Sequence, residues 1–581
     1  NSSVGSCECS RSCHFDNKPM DKDGESFDLD EVPQERQWLG GEPYFSEVES
    51  GFTECSVDEA RDPYNGSLES HSIQNSLEQS LEPFLEGWIE IMTAMDATSP
   101  DVFRGISVHR ALQRAPRNWA RADYDGMHAL SQETTHFHEF WSHSWRTKEW
   151  LKYLNILFLN NSFPASVFGT LCALLAFFLS FTGLLPVWAG DNTGYIWCTP
   201  AGILGYYTAL VLWRSKKLAF LDIACINQTD SRLKAEALVS MGAFLKKSQS
   251  LLVLWDVSYV SRLWCVFEMA AFLHSKGPKA ATCLQVCPVF VGPAFLAGHL
   301  GLSVLVFVFL WSQLPFFPWA GLILGGLALP CLGLLADMVL AHCRSIEMMQ
   351  QQLRHFTISQ AKSACCSCGH IDPTGAPMIC DRKIINRCIT AWFGGTEQFE
   401  SVVRGQVLAV LVHQLSNHVF SYWRILHVAV PALWSILDVW CDNFGRGTSS
   451  IPTPWEVFKM LYDIVIYYIL LLPTVCLILL RLAYAARHLG ERKCTQVLLA
   501  IGLVAVGALL FGLFVFVDVL NRDVLSGGGE SPLYALSIVP AMGLLTCSLW
   551  WCLPAIRVTK PAVEASPAQH RLGMQIPDIC I

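Results

Sequence analysis

The chain has 581 residues, of which 52% are hydrophobic and only 16% are charged, and its net charge is −9. This composition excludes a soluble multidomain protein and is typical of a protein that crosses a bilayer several times. The charge is divided unevenly, because residues 1–100 carry 22 acidic and 5 basic side chains, a net charge of −17.

The acidic N-terminal part is predicted to lack a packed core of its own. Because it is polar and strongly charged, we expect a largely disordered region over residues 1–130. Within it Leu77, Leu81, Leu85 and Trp88 recur at helical spacing. This pattern predicts a helix over residues 76–95 that docks on the body of the protein.

Eight apolar runs follow, each about as long as the 20 residues that a helix needs to cross a bilayer. They predict an α-helical polytopic membrane protein with about eight transmembrane helices. The first four form two hairpins, within residues 164–213 and 292–340, and the last four occupy residues 419–556. The runs cover residues 164–188, 195–213, 292–314, 318–340, 419–440, 461–481, 496–520 and 532–556.

The positive charges beside these runs predict the orientation of the chain. The loops on one side contain only Arg446 and Arg522 as basic residues, whereas the other side is rich in lysine and arginine. Since basic loops stay in the cytosol, we predict an integral multi-pass protein with both termini cytosolic. The cytosolic parts are then residues 131–160, 214–291, a Cys-containing helical segment at 341–416, and a tail at 557–581.

Four short apolar segments of strand length lie in the cytosolic parts. Helical patterns over residues 232–247 and 262–274 separate the last three. Strands that alternate with helices predict a parallel sheet with helical crossovers, and a ligand site forms at the carboxyl ends of such strands. The predicted strands are His136–Trp141, Leu218–Ile226, Ser250–Trp255 and Thr282–Val291.

Three motifs in these segments carry a family resemblance. They are WSHSW at residues 141–145, FLD at 220–222 and SRLWCVFE at 261–268. Together they resemble the boxes of the Toll/interleukin-1 receptor (TIR) domain family, and DIACINQTD at 222–230 is also similar to the core of heterokaryon-incompatibility domains. The resemblance implies a TIR-like, flavodoxin-like α/β domain over residues 131–160 and 214–291, split by the first membrane hairpin, and a role in signalling.

The resemblance also implies a chemistry, because many TIR domains cleave NAD into nicotinamide and ADP-ribose. The carboxylate on the helix that begins Trp-Cys is the catalytic residue of the family, and Glu268 occupies that position. One carboxylate suffices to stabilise the oxocarbenium-like ribosyl centre, because nicotinamide leaves as a neutral group without a general acid. For NAD binding we select Trp145 for stacking on a ring, together with Ser142, Ser144 and Asp222. No cofactor is required, since NAD is the substrate.

A non-catalytic reading of the same residues stays open. Glu268 also suits the first turn of a helix, where the dipole favours a carboxylate that pairs with a lysine or arginine. Asp222 also suits a turn cap or an ion pair with Lys216 or Lys217. The domain would then be an interaction module that recruits other TIR-like domains at the membrane. In both readings the expected partners are the lipid bilayer and other TIR-like domains, including further copies of this chain, and no nucleic acid.

A third hypothesis is a channel or transporter regulated by the domain. Charged residues inside spans mark ion and substrate paths. The candidates all fall near the predicted ends of spans, so transport has no support from the sequence. They are Asp337, Arg424, Asp438, Asp463 and Asp518.

The segment over residues 341–416 contains a possible metal site. Cys365, Cys368, His370 and Cys380 combine a C-x2-C pair with a nearby histidine, which is a ligand set for tetrahedral zinc. Reduced thiols in a loop, or palmitoylation close to the membrane, are the alternatives.

Overall fold

The structure is a computed structural model that describes residues 85–186, 196–312, 320–370, 379–417, 419–445, 452–489, 493–526 and 532–552. Most of the acidic leader and the tail at 557–581 lie outside these residues. The described part of the leader is folded: residues 85–94 are helical, and Met92 on that helix is fully buried. Residues 100–130, which the sequence places in the disordered region, contain a strand and three short helices.

Six strands form one sheet. Its order is β2-β1-β4-β3-β5-β6, and β4, β3, β5 and β6 run parallel to one another. β1 and β2 are antiparallel additions at one edge, so the prediction of a purely parallel sheet is wrong and the sheet is mixed. These two strands have four and two residues, too few to show a periodic pattern. The strands are β1 (Arg104–Ser107), β2 (Gln132–Glu133), β3 (Phe137–His143), β4 (Leu218–Phe220), β5 (Ser248–Trp255) and β6 (Leu284–Pro288).

Helices make up most of the rest of the described chain. In the N-terminal half they are α1 (residues 85–94), α2 (Val108–Gln113), α3 (Ala115–Trp119), α4 (Tyr124–Ala129), α5 (Glu149–Phe181), α6 (Cys198–Leu212), α7 (Asp222–Cys225), α8 (Ser231–Val239), α9 (Met241–Lys247), α10 (Leu263–Lys276), α11 (Ala280–Cys283) and α12 (Val291–Ser312). They continue as α13 (Ala320–Arg354), α14 (Ala364–Ser367), α15 (Asp381–Phe393), α16 (Thr396–Val402), α17 (Leu408–Asn417), α18 (Tyr422–Val428), α19 (Val430–Gly445), α20 (Pro454–Asp463), α21 (Leu472–Ala486), α22 (Lys493–Ser526) and α23 (Leu533–Cys547).

The two sequence segments of the sheet close into one layer. β3 pairs with β4 through Glu139↔Ala219 and with β5 along its whole length, although the apolar hairpin α5–α6 separates β3 from β4 in the chain. The aromatic core supports this closure. Phe140 of β3 stacks on Phe220 of β4 with ring centroids 4.7 Å apart, and both rings are buried. The hairpin is therefore an insertion in one crossover connection of an otherwise continuous sheet.

The outer edge of β6 is covered by a helix instead of a fifth parallel strand. Gln414 of α17 accepts a hydrogen bond from the Val286 amide at 3.0 Å and donates one to the Leu284 carbonyl at 2.6 Å. One side chain thus reproduces the pair of backbone bonds that another strand would make, and it protects the edge from further pairing.

Six helices in the described residues are long and apolar enough to cross a membrane. They are Glu149–Phe181, Val291–Leu310, Leu329–Arg354, Pro454–Leu489, Cys494–Val524 and Leu533–Trp551. The pair α18–α19, bent by 54°, is a seventh candidate if it forms one span. The predicted run at 195–213 corresponds to α6, whose 15 residues are short for a full crossing.

The short helix α6 is held by its neighbours α5 and α19. Asp438 of α19 is 1% exposed, and its two carboxylate oxygens accept the amides of Cys198 and Thr199 at 2.7 and 2.8 Å. These amides belong to the first turn of α6, where no intrahelical partner exists. A neighbouring helix therefore supplies the N-terminal cap. The absence of a side chain at Gly202 lets α6 contact α19 closely, because a Cβ atom at this position would lie 2.4 Å from Trp434.

Candidate functional site

The candidate site lies where the strand order of the parallel part reverses. Chain order is β3, β4, β5, β6, but β3 lies between β4 and β5. The connection after β3 therefore runs to one side, towards β4, and the connection after β5 runs to the other side, towards β6, so that a crevice forms at the carboxyl ends of β3 and β5. Residues 142–145 end and follow β3, and α10 follows β5, so the sheet brings these predicted site residues together.

Glu268 projects from α10 to the end of β3. Its carboxylate accepts a short hydrogen bond from the Ser142 hydroxyl, which also lies 2.7 Å from the Tyr259 hydroxyl. Ser142 and Tyr259 are buried, whereas Glu268 is half-buried and lines an open cleft. Burial raises the pKa of Tyr259 well above its usual value, so this phenol stays protonated. Ser142 therefore fixes the position of one carboxylate oxygen, and Tyr259 holds the Ser142 hydroxyl in place.

Trp145 and Asp222 form the opposite wall of this cleft. The Trp145 indole donates to an Asp222 carboxylate oxygen at 2.9 Å, and 36% of the tryptophan is exposed. The second oxygen of Asp222 accepts the Ile223 amide at 2.8 Å in the first turn of α7. Lys217 instead bonds Glu139 at 3.1 Å. Asp222 therefore binds the amide of the next residue and also orients the indole.

Ser144, like Ser142, is not among the residues that line the cleft. It is completely buried, and its hydroxyl lies 2.7 Å from that of Ser258 in the loop after β5. Ser258 in turn donates to Asp256 at 2.8 Å. The Ser144 carbonyl accepts from Lys152 at 3.1 Å. This network joins the ends of β3 and β5, so Ser144 supports the crevice from below, as Ser142 does.

The cleft contains charges of both signs and is narrow. Its free volume is about 70 Å³. Its charged lining consists of Asp222, Glu268, Lys234 of α8, Asp381 of α15, and Arg262, which directly precedes α10.

Sequence reasoning missed several residues of the site. Lys234 and Arg262 lie in segments whose patterns the sequence shows, but no motif assigns them a role, and none assigns a role to the buried Tyr259. Asp381 comes from the segment over residues 341–416, and its carboxylate accepts from the Trp264 indole at 3.1 Å. No local pattern signals this contact, because the two residues are far apart in the chain and meet only after folding.

His143 stays neutral at physiological pH. Burial, assisted by the positive charge of Lys152, lowers the pKa of His143 to about 4. The unfolded chain, with a pKa of about 6.5, binds more protons than the folded chain below pH 6.5. The stability contributed by the neutral ring is therefore complete above pH 6.5 and is lost as the pH falls towards 4.

We expect a change from pH 7 to pH 5 to remove about 2 kcal/mol of unfolding free energy through this one residue. The His143→Gln variant should lose correspondingly less over the same interval. Thermal unfolding of both proteins at the two pH values measures the difference. Equal pH dependence in the two proteins would contradict the assignment.

The cysteine segment forms a cluster that differs from the predicted ligand set by one residue. The potential ligand atoms of Cys365, Cys366, His370 and Cys380 all lie within 4.8 Å of one another. Cys368, which the C-x2-C spacing selected, is exposed and does not belong to the cluster. The reason is local: α14 places Cys365 and Cys366 beside Cys380, whereas Cys368 follows the end of that helix.

In comparisons with known proteins, no family model, curated protein sequence or solved structure matched this chain.

Proposed function

We propose that this chain is a multi-pass integral membrane protein whose TIR-like cytosolic domain cleaves NAD into nicotinamide and ADP-ribose. One observation carries the proposal: the Glu268 carboxylate is fixed by Ser142 at the strand-order reversal, in a cleft that Trp145 and Asp222 also line. The family resemblance implies the catalytic role for Glu268, and Trp145 is the residue that we select for stacking on a ring.

The membrane assignment rests on the apolar helices and their surfaces. On α22 the side chains of Leu498, Leu509 and Phe516 are each more than 60% exposed. A row of large exposed apolar side chains is unfavourable in water and is normal against lipid tails. Together with the basic loops on one side, it supports a cytosolic position for the sheet and for both termini.

The chemistry assigns one role to each wall of the cleft. Trp145 stacks on a ring of NAD, and Lys234 and Arg262 supply the positive charge that its pyrophosphate requires. As the bond between the ribose C1′ and nicotinamide breaks, its electron pair leaves with nicotinamide, and Glu268 stabilises the positive ribosyl centre. Water then adds to C1′ and releases its proton to solvent. Ser142 acts as a positioning residue for Glu268.

The size of the cleft favours a second candidate function. Pockets for small ligands usually have volumes of about 300–1,000 Å³, and this cleft has about 70 Å³. NAD entry therefore requires the wall formed by Trp145 and Asp222 to move outward. If the wall stays closed, the domain is a non-catalytic module that binds other TIR-like domains at the membrane.

Binding of NAD distinguishes these functions. In equilibrium dialysis with the full Glu268→Gln chain in lipid nanodiscs, which should not consume NAD, we expect saturable NAD binding that a further Trp145→Ala substitution weakens about 10-fold, the range of a lost stacking contact. Trp150→Ala is the matched control, because Trp150 is 55% exposed and does not line the cleft. Absence of saturable binding to the folded Glu268→Gln chain would overturn the NAD proposal and favour the interaction module.

A further inference from the structure

The Cys365, Cys366, His370 and Cys380 cluster has the dimensions of a tetrahedral metal site. Cys366 Sγ lies 3.9 Å from Cys365 Sγ and 3.8 Å from Cys380 Sγ. With Zn–S bonds of about 2.3 Å, two sulfurs of a tetrahedral zinc site lie about 3.8 Å apart. A disulfide would require about 2.05 Å between the sulfurs. The observed spacing therefore fits a common metal centre and does not fit a bond between thiols.

The histidine of the cluster has an unused nitrogen. His370 Nε2 is buried and has no hydrogen-bond partner among the described residues. A buried imidazole nitrogen without a partner is costly, unless it binds a metal. The backbone turns back to bring it there: Gly369 and His370 have φ values of 65° and 64°, and the His370 amide donates to the Cys365 carbonyl at 2.8 Å.

The fourth ligand is set up to bind as a thiolate. Cys380 precedes the first residue of α15, so its sulfur lies at the positive end of that helix. Behind the cluster, Ser363 lies 3.0 Å from Cys365 Sγ and also donates to Asp381 at 3.1 Å. Such outer contacts orient metal ligands.

We infer that Cys365, Cys366, His370 and Cys380 bind one structural zinc ion. Four protein ligands complete a tetrahedral shell and leave no open position for a substrate, which is typical of structural sites. Sulfur and imidazole ligands without a carboxylate select zinc over magnesium or calcium.

The zinc ion fastens the chain around Lys362 and Asp381 onto α10. Lys362, just before the cluster, exchanges backbone hydrogen bonds with Ser261 at 2.7 Å and Leu263 at 3.0 Å, at the start of that helix. Asp381, just after the cluster, accepts from Trp264. The metal therefore links the contacts on either side of the cluster, and these contacts hold the N-terminal turn of α10. The same helix carries Glu268. Removal of the zinc ion is expected to loosen these contacts with α10 and to lower the thermal stability of the domain.

Metal analysis of the full chain, purified in nanodiscs without chelators, tests the inference. We expect one zinc per chain in the wild type and in Cys368→Ser, and at least a 10-fold lower content in Cys366→Ser and Cys380→Ser. Cys368→Ser is the matched control, because it removes a nearby exposed cysteine outside the cluster. A Cys368→Ser protein that loses zinc while Cys366→Ser retains it would contradict this ligand set.

A second measurement on the wild type alone covers the case in which the variants do not fold. After exchange of zinc for Co²⁺, we expect the intense absorption of tetrahedral cobalt bound to thiolates, and chelator treatment should lower the melting temperature. A folded wild-type chain with no bound zinc and no such absorption, or with a Cys366–Cys380 disulfide found by mass spectrometry, would overturn the inference. These readouts are independent of NAD turnover, so failure of the zinc site and failure of the proposed function are distinguishable.

Discussion

Replacing Glu268 by glutamine is expected to lower nicotinamide release by at least about 100-fold. The amide keeps the size of the side chain and its contact with Ser142, but it removes the negative charge that faces the developing ribosyl cation. Loss of one preorganised electrostatic contact in an active site costs about 10²–10³ in rate. Nicotinamide formed from NAD by equal amounts of folded protein, followed by chromatography, gives the ratio.

The control for this variant is Glu236→Gln. Glu236 lies on α8 of the same domain, outside the cleft, and its side chain makes a surface ion pair with Arg232 at 3.6 Å. Exposed pairs of this kind contribute little to stability, so nicotinamide release should stay within about 2-fold of wild type. Equal release from Glu268→Gln and wild type would show that Glu268 has the structural role considered as its alternative.

Replacing Arg522 by methionine is expected to lower the free energy of unfolding by about 3–5 kcal/mol, because it leaves two acidic partners without their cation. Arg522 lies within 2.7 Å of Asp463 and 2.8 Å of Asp518, and Asp518 is fully buried. Hydroxyl groups of Tyr462 and Tyr467 also donate to Asp518. The network joins α20, the helical segment that follows it, and α22.

Unfolding of the purified protein in mixed micelles, with denaturant as the variable, measures this effect. Arg232→Met is the comparison, since its surface ion pair should change the unfolding free energy by less than about 1 kcal/mol. If Arg522→Met unfolds at the same denaturant concentration as wild type, the charged network does not hold these helices together. Such a result would reopen the hypothesis of an ion path, which requires charged groups that are not committed to structure.

The sequence predicts β3 and β5 well, because each is an apolar segment bounded by polar residues. The strand predicted over Leu218–Ile226 is wrong beyond Phe220, since residues 222–225 form α7, and the strand predicted over Thr282–Val291 is shortened to β6. β5 and the helix after it agree with the prediction within a few residues. Glu268, Trp145 and Asp222, which the sequence assigns to one site, line the same cleft, because the carboxyl ends of parallel strands meet at one edge. The proximity of three predicted residues in the cleft thus follows from topology.

Other features depend on contacts that no local pattern encodes. Gln414 completes the edge of β6 from a helix far along the chain. Asp438 was considered as a charge near the end of a span, yet it caps another helix. The cluster contains Cys366 and not the predicted Cys368, because the short helix α14, and not the C-x2-C spacing, decides which sulfurs lie near Cys380. Whether Ser142 faces a ligand or a carboxylate likewise depends on the position of α10.

The most direct test of this account is the time course of nicotinamide release from NAD by the full wild-type chain in lipid nanodiscs, with and without enforced clustering. The account predicts steady release with an equal amount of ADP-ribose or its cyclised form. No release under either condition, from protein shown to be folded, would contradict the account and identify the domain as an interaction module.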